Sequence, residues 1–175
     1  MKAFAVPAAV ALLLTTPATA QSPGGVETIQ APLIGAKGEP IGQLTVRGSA
    51  TATVVRIVVN PGGLAPGWHG LHFHAVGDCS DHGQFQLSKG HVNHLAKKHG
   101  LLNPEGPDEG DLPNIMANDD GSARAEVSSL SIRILGQNGL RDGDGSSLII
   151  HAGEDDHTSQ PIGNAGARVA CAVLK

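Results

Sequence analysis

Residues Gly67-Trp68-His69-Gly70-Leu71-His72-Phe73-His74 place three histidines in one short stretch. In an extended strand, side chains alternate faces, so His72 and His74, two positions apart, project from the same face. His69 is an odd number of positions from both and falls on the opposite face with Leu71 and Phe73. The stretch reads as one β-strand with a metal-binding face and a core face. A lone H-x-H pair also arises by chance. It gains weight here because His91, His99 and His151 lie in contexts that could return to the same place.

The β reading extends outward. Short runs rich in Val, Ile, Leu and Ala occur at 26–35, 41–48, 51–59, 67–75, 114–118, 123–131, 147–151 and 167–174. Gly, Pro and Asn/Asp clusters separate them. Asn60-Pro61-Gly62-Gly63 and Asn118-Asp119-Asp120-Gly121 are strong turn signals. No useful helical periodicity, internal repeat or domain-splitting linker is visible. The pattern predicts an all-β fold, eight short strands in an antiparallel sandwich or barrel.

Two segments break the rhythm. Residues 76–113 form a long loop with Cys79, His82, His91, His94, His99, Asp108 and Asp111, and residues 152–166 form a second, rich in Gly, Asp and Ser/Thr. Long loops in a compact domain are usually functional or disordered. A loop dense in His and Asp and pinned by a cysteine favours function.

The first twenty residues read as a cleaved secretory signal peptide. Lys2 opens the segment, residues 3–14 are apolar apart from Pro7, and Ala18-Thr19-Ala20 is an A-x-A cleavage site. The apolar core is about a dozen residues, short of a comfortable bilayer span. The expected mature chain, 21–175, is one domain, and loss of Lys2 takes the net charge from −4 to −5. With no basic tract and no Tyr, the chain lacks the basic face and stacking aromatics of a nucleic-acid binder. Export implies a periplasmic or secreted protein with no membrane association after cleavage. In that compartment Cys79 and Cys171 read by default as a disulfide, two free thiols being the alternative. Closing a loop of about 90 residues would contribute roughly 4–5 kcal/mol.

Imidazole suits copper and zinc, and carboxylates can complete a zinc site. The H-x-H strand, the His91/His99/Asp108/Asp111 loop and His151 suffice for two sites sharing one ligand. With GWHGLHFH (67–74), GH (90–91), HG (99–100), GDLPN (110–114), IIHAGEDD (149–156) and GNAGARVAC (163–171), the chain resembles the copper/zinc superoxide dismutase family, of the bacterial secreted type. These motifs span nearly all the mature chain in family order and spacing.

The resemblance implies an eight-stranded antiparallel Greek-key barrel or sandwich of immunoglobulin-like type with two long functional loops, one copper and one zinc ion per subunit, and superoxide anion as substrate. His72, His74, His91 and His151 match the copper ligands, and His91 would be the bridging imidazolate. His91, His99 and Asp111 match zinc ligands. Asp155 matches a carboxylate that hydrogen-bonds one ligand of each metal, fixing ring tautomer and orientation. Arg168 matches the guanidinium beside copper that attracts the anion, so Arg168 and His91 carry the catalytic roles. Cys79 and Cys171 match the family disulfide, and His69 matches a structural histidine. Ile162 stands where eukaryotic members often carry threonine.

One position departs from the family. Nine residues after His99 the family usually has a third zinc histidine, and this chain has Asp108. The flanking pattern aligns without gaps, so Asp108 is the expected fourth zinc ligand, the alternative being an Asp108 that faces solvent and a three-ligand site completed by water. His82, His94 and His157 match no ligand and read as exposed loop residues, and Trp68 as a surface or packing residue. A copper carrier on the same fold would be expected to lose a copper ligand or the arginine, and this chain keeps all of them. A homodimer is compatible with the sequence, which leaves oligomeric state open.

Overall fold

The computed structural model describes residues 25–175. The proposed signal peptide and the expected start of the mature chain at Gln21 lie outside the described residues. The alternating runs form eight strands: β1 (Glu27–Gly35), β2 (Pro40–Gly48), β3 (Thr53–Val59), β4 (Gly67–His74), β5 (Asp111–Ala117), β6 (Ala123–Ser129), β7 (Ser146–His151) and β8 (Arg168–Leu174). All pairings are antiparallel, in the order β5-β4-β7-β8-β1-β2-β3-β6. The terminal strands of that order, β5 and β6, pack against each other and nearly close a Greek-key barrel. There is no α-helix among the described residues, only a 3-10 turn at Gln86–Ser88, and so no helix long and apolar enough to cross a membrane.

β1 to β3 alternate buried and exposed positions, as period-two strands with one face on a core must. Their inward residues, including Leu33, Leu44, Val46, Val55 and Ile57, meet Leu71, Phe73, Leu148 and Ile150 in the interior. Truncating a fully buried Leu such as Leu44 to Ala would cost about 2–5 kcal/mol.

β4 and β7 do not alternate. The last six residues of β4 and all six of β7 are buried. Their inward side chains enter the core, while the long loops cover their outward ones. Under that cover Ile149 packs with Phe85, Cys79 and Cys171 in a second apolar cluster. The Cys79–Cys171 disulfide, Cα–Cα 5.9 Å, fastens the loop after β4 to β8. An isolated bridge between His74 and His91 returns the same loop to β4.

β5 begins at Asp111, three residues earlier than the predicted 114–118. The strand includes Pro113, which a strand at the end of the pairing order tolerates although it lacks an N–H. A third long connection, 130–145, was not singled out in the sequence. It buries Ile132, Ile134 and Leu140 in the main core.

Candidate metal centre

On the outward face of β4, His72 pairs in register with Ile149 of β7, and His74 with Ser147. His151, at the end of β7, shares that face two positions after Ile149. His91 completes the group, with ring centroids 4.2 Å from His72 and 5.2 Å from His74. One nitrogen of each ring is held. His72 Nε2 donates to Asp155 Oδ2 (2.8 Å), His74 Nδ1 to the Lys89 carbonyl (2.8 Å) and His151 Nδ1 to the Gly166 carbonyl (2.9 Å). His91 Nδ1 donates to Asp108 Oδ2 at 2.8 Å. The other nitrogens, His72 Nδ1, His74 Nε2, His91 Nε2 and His151 Nε2, are buried without a hydrogen-bond partner. Buried polar atoms are rarely left unpaired. Four such lone pairs on one face fit a copper ion, which imidazole suits.

Beside this group lies a mixed one. His91, His99, Asp108 and Asp111 bring their donor atoms within 4.8 Å of one another. His99 Nδ1 donates to Asp111 Oδ1 at 2.6 Å, and His91 Nδ1 lies 3.6 Å from the same oxygen. Asp108 is 4% exposed, and its Oδ1 accepts the Gly110 N–H. Its carboxylate therefore faces the cluster. Two imidazoles and two carboxylates are a donor set zinc accepts.

Asp155 joins the two groups. Its Oδ2 accepts from His72 Nε2, and its Oδ1 from His99 Nε2 (3.1 Å) and the His157 N–H (2.7 Å). Asn114 of β5 clamps the Asp155 backbone: its Nδ2 donates to the Asp155 carbonyl, and its Oδ1 accepts the Asp155 N–H. Gly163, at φ +59°, is required beside it, since a Cβ there would lie 1.6 Å from Asp155 Oδ1.

Burial sets the charges. It pushes His72 down to about 3 and His151 to about 4, and holds His74 well below its ordinary value. These three rings are neutral at pH 7 and carry free lone pairs. His99 goes the other way: burial opposes its charge, but hydrogen bonds to Asp111 and Asp155 outweigh burial and raise it to about 10. Asp155 resists its own burial because hydrogen bonds from His72 and His99 stabilise its ionised form, and its carboxyl lies well below the usual range.

Arg168 opens β8 beside this face, its backbone in register with His151. Its Nη1 donates to the Phe85 carbonyl (2.6 Å) and to Ser88 Oγ (2.9 Å).

The fold thus gathers every residue expected at the metals. His69 is 1% exposed, its ring bridging the carbonyls of His151 and Ala65. Trp68 is half exposed, and His82 and His94 are exposed. His157 departs from expectation: it is only partly exposed, with Nδ1 3.4 Å from Asp155 Oδ2. Three positioning contacts had no sequence signal strong enough to single them out. They are Asn114 on Asp155, Ser88 on Arg168, and Gln160, which accepts the His99 N–H and donates to the His99 carbonyl.

A nearly closed antiparallel barrel with four convergent imidazoles beside a mixed imidazole–carboxylate cluster has the donor groups of a metal-binding protein. The family model for copper/zinc superoxide dismutase (SODC) matches residues 41–174. The chain is 46% identical over 142 residues to a superoxide dismutase [Cu-Zn] of Caulobacter vibrioides, covering 79% of this chain and 80% of the relative. It is 42% identical over 148 residues to superoxide dismutase [Cu-Zn] 2 of Aquifex aeolicus, covering 83% and 85%. A crystal structure of a double mutant of a SOD-like protein from Bacillus subtilis superposes with a TM-score of 0.78 at 33% identity, covering 87% of this chain and 99% of that one. The chain belongs to the copper/zinc superoxide dismutase family, whose members are oxidoreductases.

Proposed function

We propose that this protein disproportionates superoxide outside the cytoplasm, with copper held by His72, His74, His91 and His151 and zinc by His91, His99, Asp108 and Asp111. The observation that carries the reading is the set of four buried imidazole nitrogens without a partner on one face of the barrel. Copper, when bound, supplies the one-electron chemistry that oxidises one superoxide to O2 and, with two protons, reduces a second to H2O2. His91 would be the shared ligand, since its unpartnered Nε2 belongs with the four-imidazole group and its Nδ1 with the mixed cluster. His91 Nε2 is also the atom at which the chain can hold a proton for the second superoxide. Asp155 keeps the His72 and His99 rings oriented through Nε2, leaving their Nδ1 atoms for the metals. Arg168 places a positive charge beside the copper group on a chain of net charge −4, so attraction of the anion is local.

Secretion rests on the signal-peptide pattern at 1–20, and the disulfide suits an oxidising compartment. Intact mass of exported protein should place the new N-terminus at Gln21, and a chain that retains Lys2 refutes cleavage. The decisive experiment for activity is superoxide consumption by protein loaded with copper and zinc. Stoichiometric copper binding without turnover would favour a copper carrier.

A further inference from the structure

The short turn before His91 is held in an unusual backbone. Phe85, at φ 50°, and Lys89, at φ 65° and ψ −147°, bracket the 3-10 turn Gln86–Ser88. Neither is glycine, so both conformations are strained and must be held by their surroundings. Asp81 holds the turn, its carboxylate accepting the N–H groups of Gln86 and Leu87. Phe85 is fully buried against the disulfide cluster.

The strained backbone directs two carbonyls toward the centre. Phe85 O accepts from Arg168 Nη1, and Lys89 O accepts from His74 Nδ1. Between them lies Ser88, 0% exposed. Its hydroxyl donates to the Phe85 carbonyl at 2.6 Å, accepts from Arg168 Nη1 at 2.9 Å, and lies 3.5 Å from His74 Nδ1. One hydroxyl thus touches the guanidinium and borders the ring expected to bind copper. Both contacts of the guanidinium engage Nη1, while its Nε and Nη2 make no hydrogen bond with the described residues.

We propose that Ser88 is a positioning residue for anion capture, locking Arg168 by its Nη1 edge so that Nε and Nη2 stay free to receive a small monoanion. The proposal rests on the reading of Arg168 as the anion-attracting group. Ser88 adds no charge, so its contribution lies in orientation and is separable from that of Arg168. Removing the hydroxyl should leave long-range attraction intact and weaken the final contact.

Three measurements on the full mature chain test this. Ser88→Ala, loaded with copper and zinc, should keep its copper content and the salt dependence of turnover. Its dissociation constant for azide, followed by the Cu(II) absorption spectrum, should rise roughly 2–10-fold, the range for one hydrogen bond, and turnover should fall in parallel. Ser88→Thr, which keeps the hydroxyl, should restore both. In metal-free protein, nitrogen NMR of the Arg168 guanidinium should show faster rotation about its Cζ–N bonds in Ser88→Ala than in the parent. Unchanged azide affinity in Ser88→Ala, or equal losses in Ser88→Ala and Ser88→Thr, would overturn the proposal. If the loaded parent consumes no superoxide, the functional reading falls, and the NMR comparison still decides whether the hydroxyl locks Arg168.

Discussion

The Asp108 carboxylate lies 2.8 Å from Nδ1 of His91, inside the cluster that would hold zinc. A family member would usually present a third imidazole there. In this chain the cluster proposed to hold zinc offers two carboxylates and two imidazoles, with both carboxylates nearly fully buried.

If Asp108 is a zinc ligand, Asp108→Ala should lower zinc affinity by at least roughly 10-fold, the lower end of losses seen even for outer partners of metal ligands. Copper content should barely change, because Asp108 touches none of the four unpartnered nitrogens. Asp108→His should tighten zinc binding beyond the parent. Titration against a competing chelator measures both, and a parent-like zinc affinity in Asp108→Ala would remove Asp108 from the ligand set.

Asp155→Leu should release zinc more readily than copper. The carboxylate orients one ring in each group, but copper keeps four imidazoles while the mixed site has only two. A loss of roughly 10–100-fold in zinc affinity is expected. Metal analysis after mild chelation reads the difference, and equal zinc retention in variant and parent counts against this role.

Arg168→Glu should slow superoxide turnover roughly 10-fold or more without expelling copper, since reversing the local field removes the steering of an anion. The salt response should change as well, because screening acts on that attraction. Turnover measured at two ionic strengths is the check. Identical rates and slopes in variant and parent would mean that Arg168 does not steer.

Metal-free protein should be most stable near pH 6.5, the ordinary histidine value from which the buried rings depart in both directions. His72, held at about 3, and His151, at about 4, bind protons later than in the unfolded chain as pH falls. Stability is therefore lost below about 6.5 as the unfolded state takes up protons first. His99, raised to about 10, contributes in full below 6.5 and loses its contribution as pH rises toward 10. Urea midpoints at about pH 4.5, 6.5 and 9 test this, and a midpoint that climbs steadily to the highest pH would contradict it.

Much of the fold was readable because β4 states its own geometry. Period two separates Leu71 and Phe73 from His72 and His74, and both sets are buried on opposite faces. The eight strands follow from turn chemistry and β-rich runs. The start of β5 was obscured by Pro113, whose effect depends on an edge position that only the assembled sheet reveals. Ile132, Ile134 and Leu140 reach the core from an irregular connection, where no period marks them. Ser88, Asn114 and Gln160 act on residues 80, 41 and 61 positions away. Polar side chains of those types occur throughout surface loops, so spacing could not distinguish them. His157 was misplaced for the same reason, since face alternation says nothing about a loop.

The barrel wall has a consequence for how such a protein can change. Fold and chemistry occupy opposite sides of the same strands: Leu71, Phe73, Leu148 and Ile150 face inward, and His72, His74 and His151 outward. A substitution on the outer side alters donor atoms without opening a void in the interior. Donor atoms can therefore be exchanged on that side while the scaffold keeps its architecture. The metal layer is free to diversify, and the hydrocarbon layer beneath it carries the inheritance.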